Sequence, residues 1–398
     1  MSSAASRKKT ALPAGIWALG LVSLFMDLSS EMIHALLPAF LVGSLGVSAL
    51  ALGWIEGVAE ATASISKIFS GIWSDRIGRR KPLVLLGYGL AALTKPLFPL
   101  AHHASTAIAA RWLDRVGKGI RGAPRDALVA DITAPEQRGA AYGLRQSMDT
   151  AGAFLGPLIA TGLMVLAAFD IRMIFWVAVL PAFIAVLVLA LFVREPEHTR
   201  PSAAPRAPLF AGWRDFPKSF WKLFTLVLIF TLMRFSEAFL VLRAQQSGLA
   251  IAWLPMTLVV MSLTYMLTAY PAGWLSDRMS RHTLLALGCV IMVIADLLLA
   301  FGKSELVVLV GIAVWGVHMG LTEGLIATLT ANASPVNLRG TAFGLINLAR
   351  GVMLLIASAL AGTLWSSYGS SATFIAGAIF AALTAMLALT GIAAPKTA

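Results

Sequence analysis

Polar and apolar positions along this chain alternate on the scale of whole helices, not of single residues. Twelve stretches are apolar for long enough to cross a hydrocarbon core: 15–43, 48–73, 83–101, 105–129, 140–167, 171–193, 219–243, 250–275, 283–302, 305–332, 339–366 and 370–392. A core of ~30 Å takes about 20 residues of helix, because lipid offers no partner to exposed backbone groups. Residues 244–276 carry no charge, and neither do residues 351–395. A transmembrane barrel would instead show alternating segments of about ten residues, which are missing here. The opening Arg7-Lys8-Lys9 precedes an apolar run that holds Asp27 and Glu31 and has no small-residue cleavage site, so an uncleaved first span is predicted.

The polar connections fix an orientation. Arg7, Lys8, Lys9, Arg76, Arg79, Arg80, Lys81, Arg138, Arg194, Lys218, Lys222, Arg278, Arg281 and Arg339 fall to one side. The other side receives only Arg172, Arg243 and Lys303. Both termini are therefore expected in the cytoplasm, as is the polar, proline-broken segment 194–218. That segment divides the chain into an N-terminal six-helix bundle, 1–193, and a C-terminal six-helix bundle, 219–398.

Composition agrees with an all-α membrane protein. The 398 residues are 58% hydrophobic and 13% charged, outside the range of soluble globular domains and of disordered chains. One cysteine, Cys289, excludes an internal disulfide framework. The net charge of +12 suggests nucleic acid only until it is placed: most of the excess lies in loops beside an anionic leaflet. Lipid and a small-molecule substrate are the expected partners, with no nucleic acid, and the chain is expected to act as a monomer.

The chain also repeats itself. Gly71-Ile-Trp-Ser-Asp75-Arg76-Ile-Gly78-Arg79-Arg80 returns as Gly273-Trp-Leu-Ser276-Asp277-Arg278-Met-Ser280-Arg281-His282, 202 residues on. Arg138, Gly139 and Gly143 return as Arg339, Gly340 and Gly344, 201 residues on. Two six-span halves related by a repeat form the architecture of alternating-access transporters. The first motif resembles the loop 2–3 signature of the major facilitator superfamily, and Leu113-Asp-Arg115-Val-Gly-Lys118-Gly119 resembles its fourth-helix motif. Gly143, Gly152, Gly156 and Pro157 follow the fifth-helix spacing associated with proton-driven exporters, although Ala160-Thr161 stands where that motif has a glycine pair. The resemblance implies a twelve-helix fold and a cytoplasmic gate built from Gly71, Asp75, Arg76, Gly78, Arg79, Arg80, Asp277 and Arg278. The G-x-G-x-x-G string at Gly117, Gly119 and Gly122 lies inside an apolar helical run, so it is not a nucleotide fingerprint.

An ionisable group at membrane depth costs at least ~2.5–3.5 kcal/mol, so each marks a pathway or a pair. Asp27, Glu31 and His34 share one face of the first span, and Arg111, Arg115, Lys118, Arg121 and Arg125 run down the fourth. Proton coupling is predicted at Asp27 or Glu31, gated by Arg115, with a permanent structural ion pair as the alternative. Candidate cavity residues are His34, Glu60, Lys118, Arg121, Arg234, Glu237, His318 and Glu323. Arg145 and Asp149, four residues apart, are expected to satisfy each other, and Trp54, Trp253, Phe235 and Phe239 could shape an apolar wall. The function expected is secondary transport by alternating access, proton antiport in the export direction, with no cofactor beyond the proton gradient. Import of a small anionic or organic solute by symport stays open, as does a non-transporting receptor on the same fold. An enzyme would need a catalytic set converging at one depth, and none is present in the sequence.

Overall fold

The computed structural model of the chain describes residues 12–134, 137–195, 216–276, 279–335 and 338–390, and among these the regular structure is helical throughout. In chain order the α-helices are α1 (Ala14–His34), α2 (Leu37–Ala39), α3 (Ala49–Ile77), α4 (Lys81–Thr94), α5 (Ala104–Ile132), α6 (Arg138–Leu166) and α7 (Ile171–Phe192). They continue as α8 (Lys218–Leu232), α9 (Ala238–Gln246), α10 (Met256–Ser276), α11 (Arg281–Phe301), α12 (Glu305–Ala333), α13 (Arg339–Tyr368) and α14 (Ser370–Leu389). A π turn at Phe40–Ser44 prolongs α2, and a 3-10 turn at Lys95–Leu97 prolongs α4.

Side chains set several boundaries. Ser48, Asp170, Ser280 and Ser304 precede α3, α7, α11 and α12, and each accepts a hydrogen bond from a first-turn N–H. Gly78 ends α3 at φ 69°, a left-handed conformation that favours glycine. At the repeat-related position Ser280 is extended and caps the next helix instead, so that turn needs no glycine.

Eight segments among the described residues are long and apolar enough to cross a membrane, against the twelve expected from sequence. They are Ala14–Ser44, Ala140–Leu166, Ile171–Phe192, Ile251–Ala269, Arg281–Phe301, Glu305–Thr330, Thr341–Tyr368 and Ser370–Leu389. The four remaining stretches differ for physical reasons. Helices α3 and α5 have the length, 29 residues each, but carry many charges. Helix α4 keeps α geometry for only 14 residues, and the stretch expected at 219–243 is broken at 233–237 between α8 and α9.

Helices before residue 195 pack mainly among themselves: α1 on α6 and α7, and α5 between α3 and α4. Those after residue 216 do the same, with α11 against α12 and α14, α10 against α12, and α8 against α13 and α14. The glycines of the G-x-G-x-x-G string explain how α5 fits. A Cβ at Gly117 would stand 2.7 Å from the Gly87 carbonyl of α4, and one at Gly119 would stand 2.7 Å from the Ala63 carbonyl of α3. The string is a two-sided packing surface.

Among the described residues the two groups meet chiefly where α3 packs on α13, α6 on α10 and the adjoining turn at Ile251–Trp253, and α2 on α9. At the end of the bundle remote from residues 12 and 390, α3 and α13 touch backbone to backbone. A Cβ on Gly362 would stand 2.6 Å from the Ala49 carbonyl, Gly57 lies on Leu355, and the Leu50 N–H donates to Ser366 Oγ at 3.0 Å. The contact persists to Gly351 against Ser64 and is lost by Gly71 and Gly344, where Gly344 faces open space. Among the described residues, α3 and α13 are thus in contact at the far end and separate towards the end that bears residues 12 and 390.

Gly53 lies directly against the Ser358 carbonyl and Gly362. Gly53→Leu is expected to cost about 1–3 kcal/mol or more by overpacking. The purified protein should melt at lower temperature, and a cysteine placed at Ser236 should label faster. Cys289 is buried and gives little background. Unchanged melting and labelling would mean that this crossing does not hold the far end shut.

Candidate functional site

Between the two groups lies a cavity of about 750 Å³, walled by α1, α3 and α5 on one side and by the α8–α9 break, α12 and α13 on the other. Its chemistry is set by charges, and nearly all of them have partners. Arg111 of α5 grips Glu56 of α3 through Nε at 3.1 Å and Nη2 at 2.5 Å, both side chains being buried. Arg115 reaches Glu60 at 3.2 Å, one turn further along both helices. Glu31 meets His34 Nδ1 at 3.3 Å, and the other ring nitrogen lies 3.9 Å from Glu56. On the opposite wall Arg234, from the break, bonds Glu323 of α12, and Arg350 of α13 approaches the same carboxylate at 3.5 Å.

Lys118 and Glu237 also line the cavity, and neither has a hydrogen-bond or ion-pair partner among the described residues. Each wall balances formally. With the ion-pair partners behind each wall counted, Glu31, Glu56, Glu60 and Asp126 stand against Arg111, Arg115, Lys118 and the lining Lys67, which meets Asp126 at 3.7 Å, and Glu237 and Glu323 stand against Arg234 and Arg350. A cavity with paired and balanced charge holds polar solutes without trapping one sign of ion.

The break at 233–237 ties the walls together at the far end. The Ser236 hydroxyl donates to Glu56 Oε2 at 3.4 Å, and the Ser236 N–H donates to Ser358 Oγ at 3.2 Å. Glu56 therefore carries an arginine, a histidine contact and a hydroxyl from the opposite group.

Several sequence expectations are placed by this geometry. Glu31, His34, Glu60, Gly71, Arg115, Lys118, Arg234 and Glu237 line the cavity. Arg115 holds Glu60 and not Asp27 or Glu31. Asp27 is not among the residues that line the cavity. Asp149 pairs with Arg145 at 3.6 Å. Arg121 lies over the Tyr88 ring, 4.5 Å from its centroid, outside the cavity lining. Glu323 stands behind Arg234. His318 is fully buried and donates from Nδ1 to the Gly288 carbonyl at 2.8 Å. Phe235 lines the wall, Phe239 is buried behind it, and Trp54 and Trp253 are half-exposed on the outer surface.

Of the gate residues, Arg76 and Arg79 are exposed, whereas Arg80 bonds Ser74 Oγ at 2.6 Å and Asp131 at 3.4 Å within its own group. The Asp75 side chain, Asp277 and Arg278 lie outside the described residues. Gly152 and Gly156 seat α6 on α1, with Cβ positions 3.0 Å from the Leu28 N and 2.7 Å from the Leu28 carbonyl; Gly143 has open space around it. Pro157 sits within α6, and its carbonyl accepts from Thr161.

Sequence reasoning put Glu56 on one face with Glu60, Arg111 in the α5 stripe and Arg350 among the intramembrane charges, but did not pair Glu56 with Arg111, and it missed Ser236 and Asn347 in the lining. The pairing of Glu56 with Arg111 has no local signature, because the partners are 55 residues apart.

A polar cavity between two membrane-embedded helix groups, shut at one end, defines a transporter. Comparison with known proteins gives the family: the major facilitator superfamily model matches residues 19–358 and 241–398, and the chain belongs to that superfamily. This is a family of transporters, not of enzymes, and the chain is an integral membrane protein. An uncharacterised transporter of the same superfamily from Methanocaldococcus jannaschii is 32% identical over 95% of both chains. The multidrug resistance protein MdtH of Photorhabdus laumondii is 29% identical over 52% of this chain and 50% of its own. Among solved structures, a peptide transporter crystallised with sulfate superposes with a TM-score of 0.80 at 16% identity, over 97% of this chain and 95% of that one. At that identity the likeness concerns the fold.

Breaking one side of a buried pair strands the other charge, a cost of about 3–5 kcal/mol. Arg111→Met should lower the melting temperature of detergent-purified protein markedly, and adding Glu56→Leu should restore most of it. A double variant no more stable than the single one would show that Arg111 stabilises by packing alone.

Proposed function

We propose that the chain exports small organic molecules in exchange for protons, by alternating access across the inner membrane of a bacterium. The observation that carries this reading is the balanced, ion-paired cavity between two helix groups that touch at one end and part at the other. In this reading twelve spans form two six-helix halves, 1–193 and 219–398, joined by 194–218. Three of the four stretches too charged or too broken to qualify by hydropathy, α3, α5 and α8–α9, line the cavity, where polar residues need not meet lipid. The basic residues Arg79, Arg80, Lys81, Arg138, Arg194, Lys218, Arg281 and Arg339 cluster at the parted end. The positive-inside bias then puts that end and both termini in the cytoplasm, so the cavity is open inwards.

Export is supported by the partial similarity to a multidrug resistance protein and by the α6 glycines, which let α6 lie on α1. Proton coupling is supported by the carboxylates of α1. The paired charges give the two states their energy difference: separation at the far end would break the Ser236–Glu56 bond and leave the Arg111–Glu56 pair intact within its own half. The chain works as a monomer in this scheme, with lipid as its only standing partner.

In proteoliposomes with an imposed pH gradient, a panel of organic cations, anions and zwitterions should include compounds that collapse the gradient as they move. The double variant Asp27→Asn, Glu31→Gln should abolish gradient-driven movement while leaving counterflow of the same compound. Loss of the gradient-driven flux with counterflow kept supports the assignment. Proton-coupled flux that survives the double change would remove α1 from the coupling mechanism, and a panel that binds without moving would favour a receptor.

A further inference from the structure

Two charges of opposite sign face the cavity without a counter-charge, and they stand on opposite walls. Lys118 comes from α5 and Glu237 from the α8–α9 break, and among the described residues neither makes a hydrogen bond or an ion pair. The other charged groups of the lining are engaged. Glu56 and Glu60 hold arginines of α5, Glu31 holds His34, Lys67 meets Asp126, and Arg234 and Arg350 share Glu323.

Local structure explains why these two are left over. Glu237 stands at the cap of α9, where a side-chain oxygen can accept from the open first-turn N–H groups. Its carboxylate makes no such bond, and the Ser236 hydroxyl accepts from the Ala238 N–H at 3.3 Å instead. On α5, Arg111, Arg115 and Lys118 follow one another at about one turn each. The two arginines are buried against α3, and Lys118 is exposed in the cavity.

The two groups also differ in depth. Ser236, the neighbour of Glu237, bonds Glu56 at the level of Arg111, near the far end where α3 and α13 touch. Lys118 lies seven residues beyond Arg111, about 10 Å along the α5 axis towards the parted end. Ile68, Phe235 and Leu354 add apolar surface to the same lining. A solute with one charge would satisfy one of these groups and leave the other bare. A solute with both charges satisfies both and adds no net charge to walls that already balance.

We propose that the cavity binds an organic zwitterion whose charges are separated by an apolar spacer. Its cationic end meets Glu237 near the closed end, and its anionic end meets Lys118 towards the opening. The assignment deepens the transport reading above and rests on it for its role, but binding itself needs no proton gradient. The difference in depth selects against solutes whose two charges sit on neighbouring atoms.

Ligand-induced melting shifts of the detergent-purified full-length protein, in neutral buffer, test this. The probes are ε-aminocaproate, its carboxamide, hexanoate and glycine. A charge-assisted bond to each end is worth about 10–100-fold in affinity, so ε-aminocaproate should bind tighter than each of the other three by about that factor. Lys118→Gln should reduce ε-aminocaproate to the affinity of its carboxamide, and Glu237→Gln should reduce it to that of hexanoate. The exchanged double variant Lys118→Glu, Glu237→Lys should regain the preference for the zwitterion. Equal affinity for ε-aminocaproate and its singly charged analogues overturns the assignment, as does a preference that both single variants leave intact, or no binding by any probe. The probe series on the unaltered protein decides the question even if a variant does not fold. A zwitterion that binds but is not moved by a pH gradient keeps the site and rejects proton-coupled transport. Gradient-driven movement of singly charged compounds alone, with no zwitterion bound, keeps transport and rejects the site.

Discussion

A charge in this fold must find its counter-charge inside the protein, and α5 shows how far that requirement organises the rest. The helix carries a stripe of cations through membrane depth, and neighbouring helices answer most of them locally, with Lys118 left facing the cavity. Glu56 and Glu60 come from α3 to Arg111 and Arg115, Asp114 of α5 itself meets Lys95 at 3.0 Å, and Tyr88 offers its ring to Arg121. Because an uncompensated ion would cost far more than a misplaced apolar side chain, these pairs fix the register of α3, α4 and α5. The α5 glycines then let the helices approach closely enough for short side chains to reach.

This constraint also separates what moves from what does not. Strong pairs lie within a group of helices: Arg111 with Glu56, Lys95 with Asp114, Arg234 with Glu323. Between groups the polar contacts are weaker, single hydrogen bonds such as Ser236 to Glu56 and Leu50 to Ser366. Each group is therefore rigid in its electrostatics, while the seam between them is held mainly by shape, glycine against backbone. That division of labour suits two bodies that rock against each other.

Much of the fold was legible in sequence, because apolar run length, loop charge and the 202-residue repeat each report on a physical demand that acts locally along the chain. The helical fold and its family followed from these. Hydropathy alone qualified fewer spans than expected, and it did so for an instructive reason: three of the four it passed over, α3, α5 and the α8–α9 stretch, face the cavity. Depth and face were also readable, since eight predicted site residues line the cavity. Partners were not. Arg115 had carboxylates available on α1 and α3, and only packing chose Glu60; Asp149 meets its local mate Arg145 and also Arg125 of α5 at 3.9 Å, a partner that spacing along the chain does not reveal.

The break at 233–237 adds a demand of a different kind. Outside a helix a backbone N–H has no built-in acceptor, and that of Ser236 relies on Ser358 of α13. When α13 withdraws, something else must accept from Ser236, and at that depth only water can. Parting of the far end is therefore tied to its wetting, and the rate at which a few water molecules enter sets a lower bound on how long the closed state lasts.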